Sequence, residues 1–196
     1  MPGSSKKVVP TVLLATSNQG KLKEARAILA SFEIRVEQFN GKGIEVQADT
    51  NSEVAAHASR GAAKAAGRPV LVEDAGLFVE SLKGFPGPYS AYVFKTIGSA
   101  GIITLLARVT SRRASFVSSL AYCEPDGDPV LFEGEAKGTI ARRPRGTKGF
   151  GFDPIFVPDR GTKTFGELSL REKCAVSHRA RALAKFAKWY LSGDTR

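Results

Sequence analysis

Val8-Val9-Pro10-Thr11-Val12-Leu13-Leu14-Ala15-Thr16-Ser17-Asn18-Gln19-Gly20-Lys21 is an apolar, β-branched run that breaks into a polar, glycine-containing turn. Residues 8–15 therefore read as a buried strand. Beyond the turn Leu22, Ala25, Leu29 and Phe32 recur at helical spacing. The chain thus opens strand, turn, helix, and the helix N-terminus aims backbone N–H groups and a partial positive charge at whatever lies over the turn. Such a unit is either a phosphate cradle or an ordinary α/β connection. Gly20-Lys21 looks like the end of a P-loop, but Ala15 stands where the first P-loop glycine belongs and Leu22 where its Ser or Thr belongs, which excludes that motif.

Working outward, a second strand is expected over 34–39, and Thr50-Asn51-Ser52-Glu53 is a capping box opening an alanine-rich helix that ends at Gly67 and Pro69. Pro69-Val70-Leu71-Val72 reads as a short buried strand delivering Glu73-Asp74-Ala75-Gly76 at its carboxyl end, where open α/β sheets bind ligands. Residues 84–89 form a turn-rich loop and 97–108 a helix. Residues 114–123 and 130–140 form a long antiparallel hairpin, which makes the sheet mixed. The segment 142–164, rich in Gly, Pro and basic residues, is too long for a plain connection and is expected to be a binding loop. A second capping box, Ser169-Leu170-Arg171-Glu172, precedes a last helix that carries Ala182, Phe186 and Trp189 and ends near Gly193.

With 196 residues, 42% of them hydrophobic, the chain can bury a sizeable core, and one domain is expected over 1–196 with 1–9 as a flexible N-terminal extension. No apolar run approaches the roughly 20 residues of a membrane span, and the run after Lys6-Lys7 is interrupted by Thr16, Asn18 and Lys21, so the expected location is cytoplasmic. Cys123 and Cys174 are too few for a disulfide framework and are expected to be free thiols. A net charge of +10 favours an anionic partner without separating nucleic acid, acidic lipid and polyphosphate.

Four segments can carry chemistry. In the first turn the donors are Ser17, Asn18 and Lys21. Glu73-Asp74, followed by small residues, can hold Mg²⁺ through oxygen ligands while one carboxylate takes a proton from an attacking water; the pair can equally cap a solvated turn. Glu45 by itself reads as a surface strand residue. In Gly149-Phe150-Gly151-Phe152-Asp153-Pro154 the glycines let a ring swing over a flat ligand, or the two rings pack in the core. Lys173 with Ser177-His178-Arg179 groups donors suited to carbonyl oxygens or phosphates, or makes a solvated helix face. His57 has no partner motif and reads as structural.

In this order the segments resemble the inosine triphosphate pyrophosphatase (Ham1 or RdgB) family. The resemblance rests on Ala15-Thr16-Ser17-Asn18-Gln19-Gly20-Lys21 with Glu24, on Glu73-Asp74-Ala75-Gly76-Leu77, and on Gly84-Phe85-Pro86-Gly87-Pro88-Tyr89-Ser90. It continues through Gly149-Phe150-Gly151-Phe152-Asp153-Pro154-Ile155-Phe156, Thr164-Phe165-Gly166-Glu167-Leu168, Glu172-Lys173 and Ser177-His178-Arg179. It implies an elongated α/β fold of the Maf/Ham1 type, a mixed β-sheet flanked by helices with two lobes about a central cleft, and a homodimer. It implies Mg²⁺-dependent hydrolysis of deaminated purine nucleoside triphosphates (dITP, ITP, XTP) to the monophosphate and pyrophosphate. Thr16, Ser17, Asn18, Gln19, Gly20 and Lys21 would then hold the triphosphate, and Asp74 would be base and metal ligand, with Glu73 or Glu45 as the second ligand. Phe150, Gly151, Phe152, Asp153, Lys173, His178 and Arg179 would hold the base. Ala75 stands where the family usually has Ser, which removes a hydroxyl but keeps a backbone contact. Donors facing a 6-oxo group would reject adenine, whose amino group is itself a donor.

Two rivals remain at this level. A Maf-type enzyme on pyrimidine nucleotides is opposed by the Phe-Gly-Phe-Asp and Ser-His-Arg segments. A basic nucleic-acid-binding module is suggested by Arg142-Arg143-Pro144-Arg145 with Lys148, and is opposed by the lack of a nucleic-acid motif and by the acid pair. No nucleic-acid or membrane partner is expected.

Overall fold

The computed structural model describes residues 9–41 and 46–193, so the extension expected over 1–9 lies, apart from Val9, outside the described residues. The opening run forms β1 (Thr11–Ala15), and the turn leads into α1 (Gln19–Ala30). β2 (Arg35–Phe39) returns parallel to β1, in register from Thr11↔Arg35 to Ala15↔Phe39. α2 (Asn51–Ala66) carries the expected capping box at Thr50 and Glu53 and stops at Gly67, whose left-handed backbone (φ 62) ends the helix.

β3 departs from expectation. It runs Val70–Val79 instead of ending at Val72, because it pairs along its whole length with β5 (Arg113–Cys123), from Val70↔Cys123 to Val79↔Ala114. Glu73 and Asp74 therefore lie within a strand, not at its end, and the two-residue side-chain period sends them to opposite faces. Val70 and Val72 pack with Ala62 and Ala63 of α2, so Asp74 shares the α2 face. Leu71 packs among Leu29, Leu183 and Phe186, so Glu73 shares the other face.

β4 (Pro86–Gly87) is a short antiparallel addition to β3. A further short helix, α3 (Ser90–Thr96), precedes α4 (Gly98–Leu105), which is the helix expected over 97–108, and the break between them falls at Gly98 with φ 60. β5 and β6 (Val130–Ile140) make the expected hairpin. β7 (Phe156–Pro158), inside the segment expected as a loop, adds to β6. The result is a mixed sheet in the order β2-β1-β3-β5-β6-β7 flanked by helices. No helix among the described residues is long and apolar enough to cross a membrane.

α5 (Leu170–Val176) and α6 (His178–Ser192) complete the chain. α6 lies so close on β6 that a Cβ at Gly134 would stand 2.2 Å from His178 O and 2.4 Å from Ala182 N. Backbone cannot yield as a side chain does, so Gly134→Ala is expected to cost about 1–3 kcal/mol. A urea midpoint equal to wild type would contradict this.

Candidate active site

The uncovered part of β3 decides where the site lies. β1 stops pairing with it at Ala15↔Val72 and β4 starts at Leu77↔Gly87, so the edge from Glu73 to Gly76 is left open to a cleft of about 940 Å³. Lys21 Nζ donates to Glu73 O at 3.0 Å and Leu77 N donates to Ser90 Oγ at 2.8 Å, both on this edge. The same period places the N–H and C=O of Ala75 on this edge as well. One bank of the cleft is the turn from Thr16 to Lys21 and the other is the start of α3. Ser90 Oγ also donates to Gly87 O at 2.7 Å, and a Cβ at Gly76 would stand 2.3 Å from Gly87 O. The second bank is thereby fixed tightly against the strand.

On the first bank the side chains shape the turn. Thr16 Oγ1 accepts from Asn18 N at 3.1 Å, Asn18 Oδ1 accepts from Lys21 N at 3.1 Å as the N-cap, and Gln38 donates to Thr16 O at 2.8 Å. The N–H groups of Gln19 and Gly20, ahead of the first intrahelical bond, have no intrahelical partner, and the positive end of the helix dipole lies at this bank. Thr16, Ser17, Asn18 and Lys21 line the cleft, whereas Gln19 and Gly20 do not. Gly20 acts otherwise: a Cβ there would stand 2.3 Å from Phe150 Cδ1, so the missing side chain is what seats the Phe150 ring.

The two acids have separate environments. Asp74 lines the cleft and Asn51 Nδ2 donates to its Oδ2 at 2.8 Å. Burial raises its pKa above the ordinary carboxylate value against the opposing charge of Lys21. Glu73 is buried on the other face, where Arg179 Nε donates to its carboxylate at 2.8 Å and Ser118 Oγ at 2.7 Å. Burial would raise its pKa too, but Arg179 and Lys21 outweigh it and hold the group down at about 2. Both oxygens of Glu73 accept hydrogen bonds within the protein, so this residue, which also lines the cleft, anchors Arg179. Glu45, the other expected ligand, lies outside the described residues. Among the described residues no group of three or more His, Cys, Asp or Glu could hold a metal. Among the described residues Asp74 fits Mg²⁺, since this ion is commonly held by one or two carboxylates together with substrate phosphates and waters. The amide oxygen of Asn51, buried and without a hydrogen-bond partner among the described residues, adds a hard donor beside Asp74.

The far wall holds a buried ion network. Lys173 Nζ donates to Glu24 Oε1 and to Asp153 Oδ2, while Arg179 joins Glu73 to Glu24. All five side chains are buried. Asp153 further accepts from Phe150 N at 2.8 Å. Phe150 then covers the network, its ring centroid 4.9 Å from Lys173 Nζ and 5.4 Å from Arg179 Cζ. Lys173 and Arg179 are therefore not the freely available donors that the sequence suggests. Each keeps unused N–H groups, but most of its charge is compensated within the wall. His178 stacks on Phe116 at 4.7 Å, and burial, reinforced by the Arg179 and Lys173 charges, pushes its pKa well down, so the ring is neutral at pH 7. Its Nδ1 is buried and has no hydrogen-bond partner among the described residues. Phe152 is a core residue with Phe94 edge-on at 5.2 Å, yet it also borders the cleft.

The cleft thus brings together Thr16, Ser17, Asn18, Lys21, Glu73, Asp74, Ala75, Phe150, Gly151, Phe152, Asp153, Lys173, His178 and Arg179. Asn51, Ser118 and the role of Glu24 escape sequence reasoning. Asn51 reads only as part of a capping box, and Ser118 as one of many strand residues. Glu24 did carry a signal: it adjoins the stripe of Leu22, Ala25, Ile28 and Leu29, and a charge bordering an apolar stripe requires a buried partner.

Residues 12–189 match the profile of the Ham1 family. The chain is 54% identical over 179 residues to the dITP/XTP pyrophosphatase of Methanopyrus kandleri, covering 91% of this chain and 95% of that one. It is 50% identical over 184 residues to the dITP/XTP pyrophosphatase of Ignicoccus hospitalis, covering 93% and 97%. Among solved structures, the HAM1 protein of Coxiella burnetii superimposes with a TM-score of 0.83 at 33% identity, over 94% of this chain and all (100%) of that one. The Ham1 protein of Staphylococcus aureus does so with a TM-score of 0.80 at 31% identity, over 94% and 100%.

Proposed function

The chain belongs to the Ham1 family, and from that premise we propose that it hydrolyses deaminated purine nucleoside triphosphates to the monophosphate and pyrophosphate with Mg²⁺ as the working metal. The observation that carries the reading is the open edge of β3, which sets Asp74 between an anion-binding helix N-terminus and a wall of aromatic and donor groups.

Asp74, with the phosphates of the substrate, would hold the metal, which when bound offsets phosphate charge and acidifies water. Asp74 accepts the proton of the water that attacks the α-phosphorus. Asn51 fixes the carboxylate for that task. Lys21 and the free N–H groups at the start of α1 stabilise the polyphosphate as charge moves to the leaving pyrophosphate. Phe150 supplies a face for the base. The unused N–H groups of Lys173 and Arg179 donate to a 6-oxo group, and the compensating carboxylates keep them in place. An adenine amino group would meet donors there, leaving buried donors unpaired on both sides.

The test is steady-state kinetics on dITP, XTP and dATP. kcat/KM for dITP is expected to exceed that for dATP by about 100-fold or more. Equal turnover of the two would overturn the proposed base recognition. Removal of divalent ions with EDTA is expected to abolish turnover and added Mg²⁺ to restore it; activity that survives the chelator contradicts the metal requirement. A homodimer belongs to the same proposal. The exposed Phe85, Tyr89, Tyr92, Ile97 and Leu105 are apolar surface that supports it, and light scattering at the monomer mass would contradict it.

A further inference from the structure

Four cations line the cleft: Lys21, Lys95, Lys173 and Arg179. Lys173 and Arg179 are neutralised by Glu24, Glu73 and Asp153 within the wall. Asp74 adds a further negative charge. A triphosphate entering this space therefore meets few uncompensated positive charges. Lys21 is one that no wall ion pair holds: among the described residues its hydrogen bond goes to an uncharged carbonyl, while its charge also acts on Asp74 and Glu73. Lys95 is the other: it is exposed, and among the described residues it makes no hydrogen bond or ion pair.

Its placement is built into the fold. Ala91, Phe94 and Lys95 follow the i, i+3, i+4 spacing of one helical face, and all three line the cleft. α3 itself is fixed at its start by the Ser90 bonds to Leu77 and Gly87, and along its length by the Phe94 contact with Phe152. The open edge of β3 thus has a lysine on each bank, Lys21 from the helix after β1 and Lys95 from the helix after β4. Nothing in the base wall compensates for the charge of a polyphosphate; these two lysines do.

We propose that Lys95 is the second polyphosphate-binding lysine of the cleft, acting on the phosphates from the bank opposite Lys21. This rests on the nucleotide reading above. The experiment compares wild type, Lys95→Met, Lys95→Arg and Lys185→Met, the last an exposed lysine of α6 that does not line the cleft. Lys95→Met is expected to raise KM for dITP and XTP alike by about tenfold, as loss of one charge-assisted bond should. Competitive inhibition by inorganic tripolyphosphate should weaken by the same factor, with kcat little changed, the Arg variant restoring most of the loss, and Lys185→Met unaffected. Unchanged tripolyphosphate inhibition would overturn the proposal. So would a loss confined to XTP, whose base ionises near neutral pH, because it would put Lys95 at the base. Should wild type hydrolyse neither dITP nor XTP, the nucleotide reading fails, while calorimetry with tripolyphosphate still decides Lys95: weaker binding by Lys95→Met supports it and equal binding overturns it.

Discussion

Asp74→Asn is expected to lower kcat for dITP by about 100- to 10,000-fold, the range of a positioned general base, while the thermal midpoint stays within a few degrees of wild type. The substitution preserves shape, and its amide oxygen can still accept the bond that Asn51 Nδ2 makes at 2.8 Å. What it removes is the ability to take a proton and a full negative charge beside the phosphates. Steady-state kinetics with a parallel melting curve separates the two effects. A variant that retains more than about a tenth of wild-type kcat would remove Asp74 from the role of base.

Glu24 lies at the opposite extreme, with a large effect on stability. Its carboxylate binds Lys173 through one oxygen and Arg179 through the other, in a site where all three side chains are almost completely buried. Removing one partner of a buried ion pair leaves charge without compensation, so Glu24→Ala is expected to cost about 3–5 kcal/mol in urea unfolding. It should also raise KM for dITP, because the two cations lose the group that sets their positions. A loss below about 1 kcal/mol would mean that the network is solvated. The neighbouring Glu73 adds a pH dependence with a defined sign. Its pKa is depressed in the fold to about 2 from an ordinary 4.5, so its contribution to stability is complete above pH 4.5 and is lost as pH falls toward 2. Glu73→Gln should flatten that acid limb.

The sequence made the order of elements legible because each boundary has a local chemical cause. Thr50 and Ser169 cap helices as expected, and the runs 114–123 and 130–140 form the expected hairpin. The length of β3 was not legible. Glu73, Asp74 and Gly76 are poor strand formers, and only the pairing partner β5, some forty residues away in the chain, holds them extended. That long-range pairing divides the acid pair between two faces: both acids border the cleft, but Asp74 is held by Asn51 and Glu73 is engaged by Arg179 and Ser118. Most of the residues that the resemblance named border one cleft, Gln19 and Gly20 excepted, and Glu45 lies outside the described residues. The resemblance could not show that Lys173 and Arg179 are held by Glu24, Glu73 and Asp153, since an ion pair between Lys173 and Glu24 joins positions 149 residues apart. Nor could spacing reveal that Gly20 serves by giving the Phe150 ring its seat.

The most direct test of the central claim, attack of water on the α-phosphorus, is hydrolysis of dITP in ¹⁸O-enriched water with Mg²⁺, followed by mass spectrometry of both products. The heavy oxygen is predicted in dIMP, with unlabelled pyrophosphate released alongside. Label in pyrophosphate, or release of orthophosphate with dIDP, would contradict it.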